Sequence, residues 1–284
     1  MIPPEDNSSL PDKGLPPAFL NHVVITLDTP THREVEQSAF LRGFAVTEQR
    51  TTTTNRGAHT GFYLYGTHTY LEFVRASKKQ PAGSSGVALG VDRTGALQAL
   101  VDAATPHLVV EGPVTREYEG EPVPWFYLGG RAGFSADFTV WLMEYHPQFL
   151  ARWHPRSAGQ GVSRKEVLRR YREVVRKSSN AAPTPYFGDI VGLNVVTGEK
   201  THHNLTELGA WLGYDEHDLG GETLLRGPEL GVRLVRTTTE ASGVREVTMR
   251  VERQPKDEEY RFGPTTLRFH GDGLATWTFR PEPD

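Results

Sequence analysis

The chain has 284 residues, of which 37% are hydrophobic and 23% charged, and its formal net charge is −4. This composition is typical of a globular protein with one large domain or two ordinary domains, and its interspersed charges argue against a nucleic-acid-binding protein. The absence of cysteine excludes disulfides, thiolate metal sites and a cysteine nucleophile.

The first 17 residues are rich in proline, aspartate and serine, which predicts a disordered tail over 1–17. They lack the basic region and apolar run of a signal peptide. No stretch of the chain approaches the roughly 20 apolar residues of a membrane span. We therefore expect a soluble, cytoplasmic protein that has no membrane partner.

The first half of the chain shows the same order of predicted elements twice: one strand, one helix and three strands. Alternating or β-branched residues indicate the strands, and an apolar stripe at helical spacing indicates each helix. Thr31 and Glu34 predict the start of the first helix as a capping box. The first unit has strands at 21–28, 45–54, 59–65 and 69–75, and the second has strands at 86–92, 114–118, 125–128 and 138–145.

A third region follows a predicted helix that Ser163 and Glu166 cap and a linker at 178–185. It contains a strand at 189–197, a helix that opens at Asn204, and several strand-like segments. The predicted fold is α+β, with tandem βαβββ modules that form a cupped sheet and a C-terminal α+β segment that forms a third, divergent module. The predicted boundaries are 1–17 for the tail, 18–150 for the two modules (19–76 and 85–147), 151–182 for the connecting helix and linker, and 183–284 for the C-terminal domain.

Three short segments of the first unit, "NHVVITLD", "NRGAHTGFYLYG" and "TYLEFV", resemble the opening, middle and closing strands of a glyoxalase-like module. The first two units, about residues 19–147, thus resemble the vicinal oxygen chelate superfamily, which includes the glyoxalase and bleomycin-resistance proteins. The resemblance implies two paired modules around a cavity, with metal ligands on the first and last strands of each module. By position, these ligands are His22, Glu72 and Glu144, and the fourth position falls near Gly86, which cannot bind a metal.

Imidazole and carboxylate ligands suit a divalent metal such as Zn, Fe, Mn or Ni. Residues two apart on a strand share a face, so we expect His146 beside Glu144, as a ligand or a base, and Tyr70 beside Glu72 in the cavity wall. His59 follows a flexible stretch and is a candidate general base or substrate-binding group. Trp125 and Trp141 are further candidates for substrate binding.

Two functions of different class, and a third possibility, fit these residues. The first is a glyoxalase-like, metal-dependent enzyme that acts on a small oxygen-rich molecule, as an isomerase, lyase or dioxygenase. The second is a metal-free protein of the bleomycin-resistance type that binds a small molecule through Trp125, Phe126, Trp141 and Tyr70, and the vacant fourth ligand position favours it. The third is a non-catalytic scaffold. The expected partner is a small-molecule ligand, and the chain is a monomer or a homodimer.

Overall fold

A computed structural model describes residues 14–103, 108–131, 135–149, 163–178, 185–239, 241–255 and 258–279. The predictions for residues 1–13 of the tail and for 151–162 and 179–182 of the connecting segment lie outside these ranges. The fold is α+β, as predicted. Within the described ranges, no helix has the length and apolar character needed to cross a bilayer.

Two βαβββ modules in the N-terminal half close into one eight-stranded barrel, which confirms the predicted tandem arrangement. In each module the helical segment carries the chain back, so the first strand lies parallel to the last. The first module consists of β1 (Phe19–Leu27), α1 (Thr29–Gln37), α2 (Ala39–Phe44), β2 (Val46–Thr54), β3 (Gly57–Tyr65) and β4 (Tyr70–Arg75). The second consists of β5 (Ser85–Val91), α3 (Ala96–Ala103), β6 (Leu108–Tyr118), β7 (Glu121–Arg131) and β8 (Phe138–Tyr145).

The two seams between the modules differ in extent. Strands β1 and β5 pair antiparallel along most of their length, whereas β2 and β6 meet at a single pair, Thr54 with Arg116. Helix α1 begins after Asp28, whose carboxylate accepts a hydrogen bond from the Thr31 backbone N–H at 2.9 Å. The N-cap is therefore Asp28 and not Thr31, because the aspartate already ends the preceding strand in a capping geometry.

Alternation along the barrel strands separates an apolar outer face from a more polar inner face. Ile25, Leu71 and Phe73 point outwards into the main core, where Phe73 meets Trp277 of the C-terminal half with ring centroids 4.9 Å apart. Each such buried side chain contributes about 1.5–3 kcal/mol. This packing fixes the strand register, and the register in turn directs His22 and Glu72 to the barrel interior.

Helix α4 (Arg164–Ser178) packs its apolar stripe against the barrel. The Ser163 hydroxyl accepts a hydrogen bond from the Glu166 N–H at 3.3 Å, which confirms the predicted cap. Arg164, only 1% exposed, donates to the Leu20 carbonyl at 2.6 Å and pairs with Asp92 and Glu229. The Arg164 guanidinium therefore connects α4 to the N-terminal half through Asp92 and to the C-terminal half through Glu229.

The C-terminal half is an eight-stranded sheet that repeats the module once in full. Its third module consists of β9 (Phe187–Thr197), α5 (Glu199–Trp211), β10 (Asp215–Asp218), β11 (Glu222–Arg226) and β12 (Gly231–Arg236). Four more strands follow with no helix among the described residues: β13 (Gly243–Val251), β14 (Glu259–Phe262), β15 (Thr265–His270) and β16 (Leu274–Thr278). Helix α5 begins five residues before the predicted Asn204, so that His202 lies in the helix, where its Nδ1 lies 3.2 Å from the Thr197 hydroxyl.

Candidate functional site

The barrel encloses a cavity of about 350 Å³ whose two sides differ in chemistry. The first module contributes mostly polar and aromatic side chains, and the second contributes mostly apolar ones. The cavity is therefore amphipathic. From the first module its lining is His22, Arg50, Thr52, Thr54, Arg56, His59, Tyr63, Tyr70 and Glu72, and from the second it is Val114, Trp125, Phe126, Leu128, Thr139, Trp141 and Met143.

A β-bulge in β1 sets the position of His22. The register to β5 shifts between Leu20 and His22, which makes Asn21 the extra residue, and bulges of this kind redirect neighbouring side chains. The Asn21 side-chain oxygen lies 2.8 Å from His22 Nδ1, and its Nδ2 donates to the Tyr145 hydroxyl at 3.5 Å. The imidazole stacks on Tyr70, with ring centroids 4.4 Å apart. His22 is thus held rigidly, with Nε2 directed at Glu72.

Glu72 and His59 form a close pair at the polar side of the cavity. His59 Nε2 lies 2.5 Å from Glu72 Oε1, and His22 Nε2 lies 3.9 Å from Glu72 Oε2. The hydroxyl of Tyr63 also hydrogen bonds to the carboxylate. Gly61 makes room for this arrangement, because a Cβ at that position would lie 2.6 Å from Glu72 Oε1. The predicted residues His22, Tyr70, Glu72 and His59 therefore lie together.

The protonation states of this cluster follow from burial and hydrogen bonding. Burial lowers the pKa of His22 to about 4, although the Glu72 carboxylate opposes the shift. Burial is the largest single effect on the pKa of Glu72 and raises it, but the hydrogen bond and charge of His59, together with smaller contributions from His22 and Tyr63, hold the pKa below its ordinary value. The same hydrogen bond raises the pKa of His59. At neutral pH the site therefore contains a neutral His22, an ionised Glu72 and a His59 that is shifted towards its charged form.

Three cavity residues on β2, Arg50, Thr52 and Thr54, were missed from the sequence, although a period-2 pattern marks them. Arg50 and Thr52 lie on the same strand face, and Arg50 Nε donates to the Thr52 hydroxyl at 3.2 Å. The guanidinium also pairs with Glu48 at 2.8 Å and lies 4.5 Å from the ring centroid of Tyr63. The first module thus brings a fixed positive charge to the cavity wall.

The second module replaces the expected fourth ligand with an aromatic ring. Trp141 lies across Gly86, where an added Cβ would come 2.7 Å from the indole Cζ3. This indole and the His22 imidazole form a T-shaped contact, with ring centroids 5.3 Å apart. Trp125 and Phe126 extend the same wall and pack edge to face at 4.9 Å. The substrate-binding candidates Trp125 and Trp141, together with Phe126, therefore line one cavity.

Two predicted residues, Glu144 on β8 and His146 just after it, lie elsewhere, which corrects the expected site. Glu144 accepts hydrogen bonds from the N–H groups of Gly95 and Leu97, at 2.8 and 2.9 Å, and so caps α3 outside the barrel. His146 accepts a hydrogen bond from the Gln148 N–H and does not line the cavity. Of the two β8 residues predicted to face the cavity, Trp141 lines it and Glu144 does not, and Met143 lines it as well.

The residues that line the cavity do not fit a resident divalent metal. Because Glu144 caps α3, the second module brings no carboxylate to the cavity, and the β8 side chains that line it are Trp141 and Met143. His59 and Glu72 bond directly to each other, which leaves His22 Nε2 and Glu72 Oε2 as the available pair, whereas catalytic zinc sites have three protein ligands. Across the described ranges, no three His, Asp or Glu side chains are grouped as a metal would require. The arrangement can instead accept, donate or move a proton.

The fold and site thus define a protein with paired βαβββ modules around an amphipathic cavity. The model of a family of unknown function, DUF5829, matches residues 20–279, so the chain belongs to that family. No curated protein matches the sequence.

Several solved structures are similar at low identity. One is a hypothetical protein from Staphylococcus aureus, with TM-score 0.49 and 10% identity over 78% of this chain and 87% of that one. Another is 2,2',3-trihydroxybiphenyl 1,2-dioxygenase from Sphingomonas wittichii, with TM-score 0.46 and 11% identity over 91% and 89%. A third is an extradiol ring-cleaving dioxygenase from B. fuscum, with TM-score 0.42 and 12% identity over 95% and 74%. None of these similarities identifies a ligand or a reaction for this chain.

Proposed function

We propose that the N-terminal barrel binds a small organic molecule without a metal, as the bleomycin-resistance type of protein does. The observation that carries the proposal is the cavity lining. The cavity is lined by all four side chains that such a protein would use for stacking: Tyr70, Trp125, Phe126 and Trp141. Glu144, in contrast, is one of the three predicted metal ligands, and its carboxylate caps a helix instead. The expected metal-dependent enzyme therefore ranks behind a metal-free binding protein.

The shape and chemistry of the cavity support an amphipathic ligand. A volume of about 350 Å³ lies in the range of small-molecule pockets, which are mainly apolar with a few convergent polar groups. The indole of Trp141 and the rings of Trp125 and Phe126 offer flat surfaces for an apolar or aromatic body. His22, His59 and Glu72 lie on the opposite side and would contact its polar group.

The test is a thermal-shift screen of small aromatic compounds against the protein in the presence of a chelator. A ligand at 100 times its Kd stabilises the folded state by about 2.7 kcal/mol. Compounds that bind in the cavity should raise the Tm of the wild type and should not raise that of Trp141→Ala. The matched control is Trp211→Ala, because Trp211 lies on α5 in the C-terminal half. Compounds that stabilise Trp141→Ala and the wild type equally would contradict the proposal.

A second candidate function, an enzyme that moves a proton, rests on the His59–Glu72 pair. His59 is 47% exposed while Glu72 is 7% exposed, so the pair joins a solvent-accessible base to a buried carboxylate beside the ligand space. Compounds that bind in the screen would be incubated with the protein and followed by mass spectrometry. Turnover that His59→Gln abolishes while binding remains would favour this function, and unchanged compounds would favour binding alone.

A further inference from the structure

Arg116 on β6 carries a buried guanidinium that has no carboxylate partner in the described ranges. The residue is only 9% exposed. Its Nη1 donates to the Tyr171 hydroxyl at 3.1 Å, whereas its Nε reaches no acceptor. Arg164, which is also buried, pairs with two carboxylates. A buried charge is costly unless an opposite charge and hydrogen bonds compensate it, so Arg116 has unused capacity to bind an anion.

Three aromatic rings surround this guanidinium. The Arg116 Cζ lies 5.2 Å from the ring centroid of Trp125, 5.5 Å from that of Phe149 and 5.8 Å from that of Tyr118. The face of an aromatic ring attracts a cation, which explains how the barrel tolerates the charge. A ring face does not, however, offer the paired oxygens that match the planar fork of N–H donors on an arginine. The rings therefore hold the charge in place and leave the stronger kind of partner to be supplied.

Trp125 contacts both Arg116 and the cavity. Its side chain lines the cavity, as does Thr54, the cross-strand partner of Arg116, whereas Arg116 is not itself a lining residue. The indole Nε1 of Trp125 is buried and finds no acceptor within the described part of the chain, so no hydrogen bond fixes the ring over the guanidinium. Changes of side-chain rotamer are common where a partner binds. A rotation of this indole would open Arg116 to the cavity.

We propose that Arg116 binds a carboxylate of the ligand, which the Trp125 side chain admits by turning away from the guanidinium. This proposal rests on the proposed function and specifies the ligand class as a small aromatic acid. A guanidinium can bind both oxygens of a carboxylate at once, and hydrogen bonds between charged groups are roughly twice as strong as those between neutral groups. The aromatic body of the acid would remain in the cavity against Phe126 and Trp141.

The experiment compares compounds that share one aromatic body and differ in the charge of the polar group. Isothermal titration calorimetry at pH 7, in the presence of a chelator, would use 2-naphthoic acid, 2-naphthalenemethanol and 2-naphthalenemethylamine. The hydrogen bonds of a carboxylate to a guanidinium predict that the acid binds about tenfold or more tightly than the alcohol. The amine should bind most weakly, because its charge has the same sign as that of Arg116.

The variant that tests the contact is Arg116→Met, which removes the charge and keeps an unbranched apolar side chain. The preference for the acid over the alcohol should fall to about one, while the Kd of the alcohol should stay near the wild-type value because the cavity is intact. Arg116→Lys keeps the charge without the planar fork and should keep only part of the preference. The matched control is Arg75→Met, at an exposed position of β4 outside the cavity, which should keep the full preference.

The outcomes separate the proposal from the proposed function. Equal binding of acid and alcohol to the wild type would overturn the proposal while the cavity remained a binding site, and this comparison needs no variant to fold. A purely structural Arg116 would lower the Tm of Arg116→Met without changing the acid preference, which would also overturn it. The same holds if Arg116→Lys keeps the full preference, or if Arg50→Met loses it while Arg116→Met keeps it. Failure of all three naphthalenes to bind would overturn the proposed function as well.

Discussion

The substitution Gly61→Ala tests the close packing beneath Glu72. The added Cβ would lie 2.6 Å from Glu72 Oε1 and 2.9 Å from Tyr63 Cζ. To reach an ordinary contact of 3.4 Å, the carboxylate must move by roughly 0.8 Å, the difference between 3.4 and 2.6 Å. Overpacking of this kind costs about 1–3 kcal/mol of the free energy of unfolding. For a chain of this size, each kcal/mol lowers the Tm by roughly 2–4 °C.

The same displacement breaks the hydrogen bond between His59 and Glu72, which is the largest cause of the raised pKa of His59. We therefore expect the pKa of His59 in Gly61→Ala to fall back towards its ordinary value of 6.5. A raised pKa in the folded state stabilises the protein below pH 6.5, and this stability is lost as the pH rises through the folded-state pKa. The stability of the variant should accordingly depend less on pH in that window.

The assay is an NMR titration of the histidine Cε1–H signals, with the His59 signal assigned from His59→Gln. Gly130→Ala is the matched control, because a Cβ at this barrel-strand glycine meets nothing within 4 Å. The control should keep the wild-type pKa of His59 and the wild-type Tm. If the raised pKa persists in Gly61→Ala, the pKa of His59 does not depend on the position of the Glu72 carboxylate, and this prediction is wrong.

Three further predictions concern other parts of the account. Glu144→Ala should lower the free energy of unfolding by about 1–3 kcal/mol in urea denaturation, because the N–H of Gly95 just before α3 and the buried N–H of Leu97 in its first turn lose their acceptor, while calorimetry should show unchanged binding of cavity ligands. Arg164→Met should cost about 1–3 kcal/mol, because the buried Leu20 carbonyl loses its donor, whereas Arg169→Met on the exposed face of the same helix should cost under about 0.5 kcal/mol; equal urea midpoints for the two would contradict this. Gly86→Ala should displace the Trp141 indole and weaken naphthalene binding, and an unchanged Kd would show that the indole does not form the binding wall.

The sequence was sufficient to predict the tandem modules because their signals are local. Short runs of β-branched and apolar residues mark β1, β4, β5 and β8, and the cap formed by Ser163 and Glu166 marks α4. The helix-free unit β13–β16 could not be assigned in the same way. The sequences of its strand-like segments do not indicate which strands pair. Because no helix connects these strands among the described residues, β16 lies antiparallel to β13, whereas the first and last strands of the other modules are parallel.

The site was only partly predictable, because one residue of strand register reverses which side chains face the cavity. His22, Tyr70 and Glu72 were placed correctly on the inner face, whereas Glu144 is a buried acidic residue whose helix-capping role depends on the tertiary position of α3. Gly86 was interpreted as a missing ligand, but its physical role is to admit Trp141. Contacts between distant segments, such as this one, leave no pattern in a single sequence.

The most direct test of metal-free binding is a calorimetric titration of 2-naphthalenemethanol into wild-type protein that has been dialysed against EDTA, repeated after addition of zinc. We expect saturable binding at one site with the same Kd in both conditions, because Trp141, His22 and Glu72 line the cavity and need no metal to bind the alcohol. Binding that appears only after zinc is added would contradict it, and would restore the metal-dependent enzyme as the leading function.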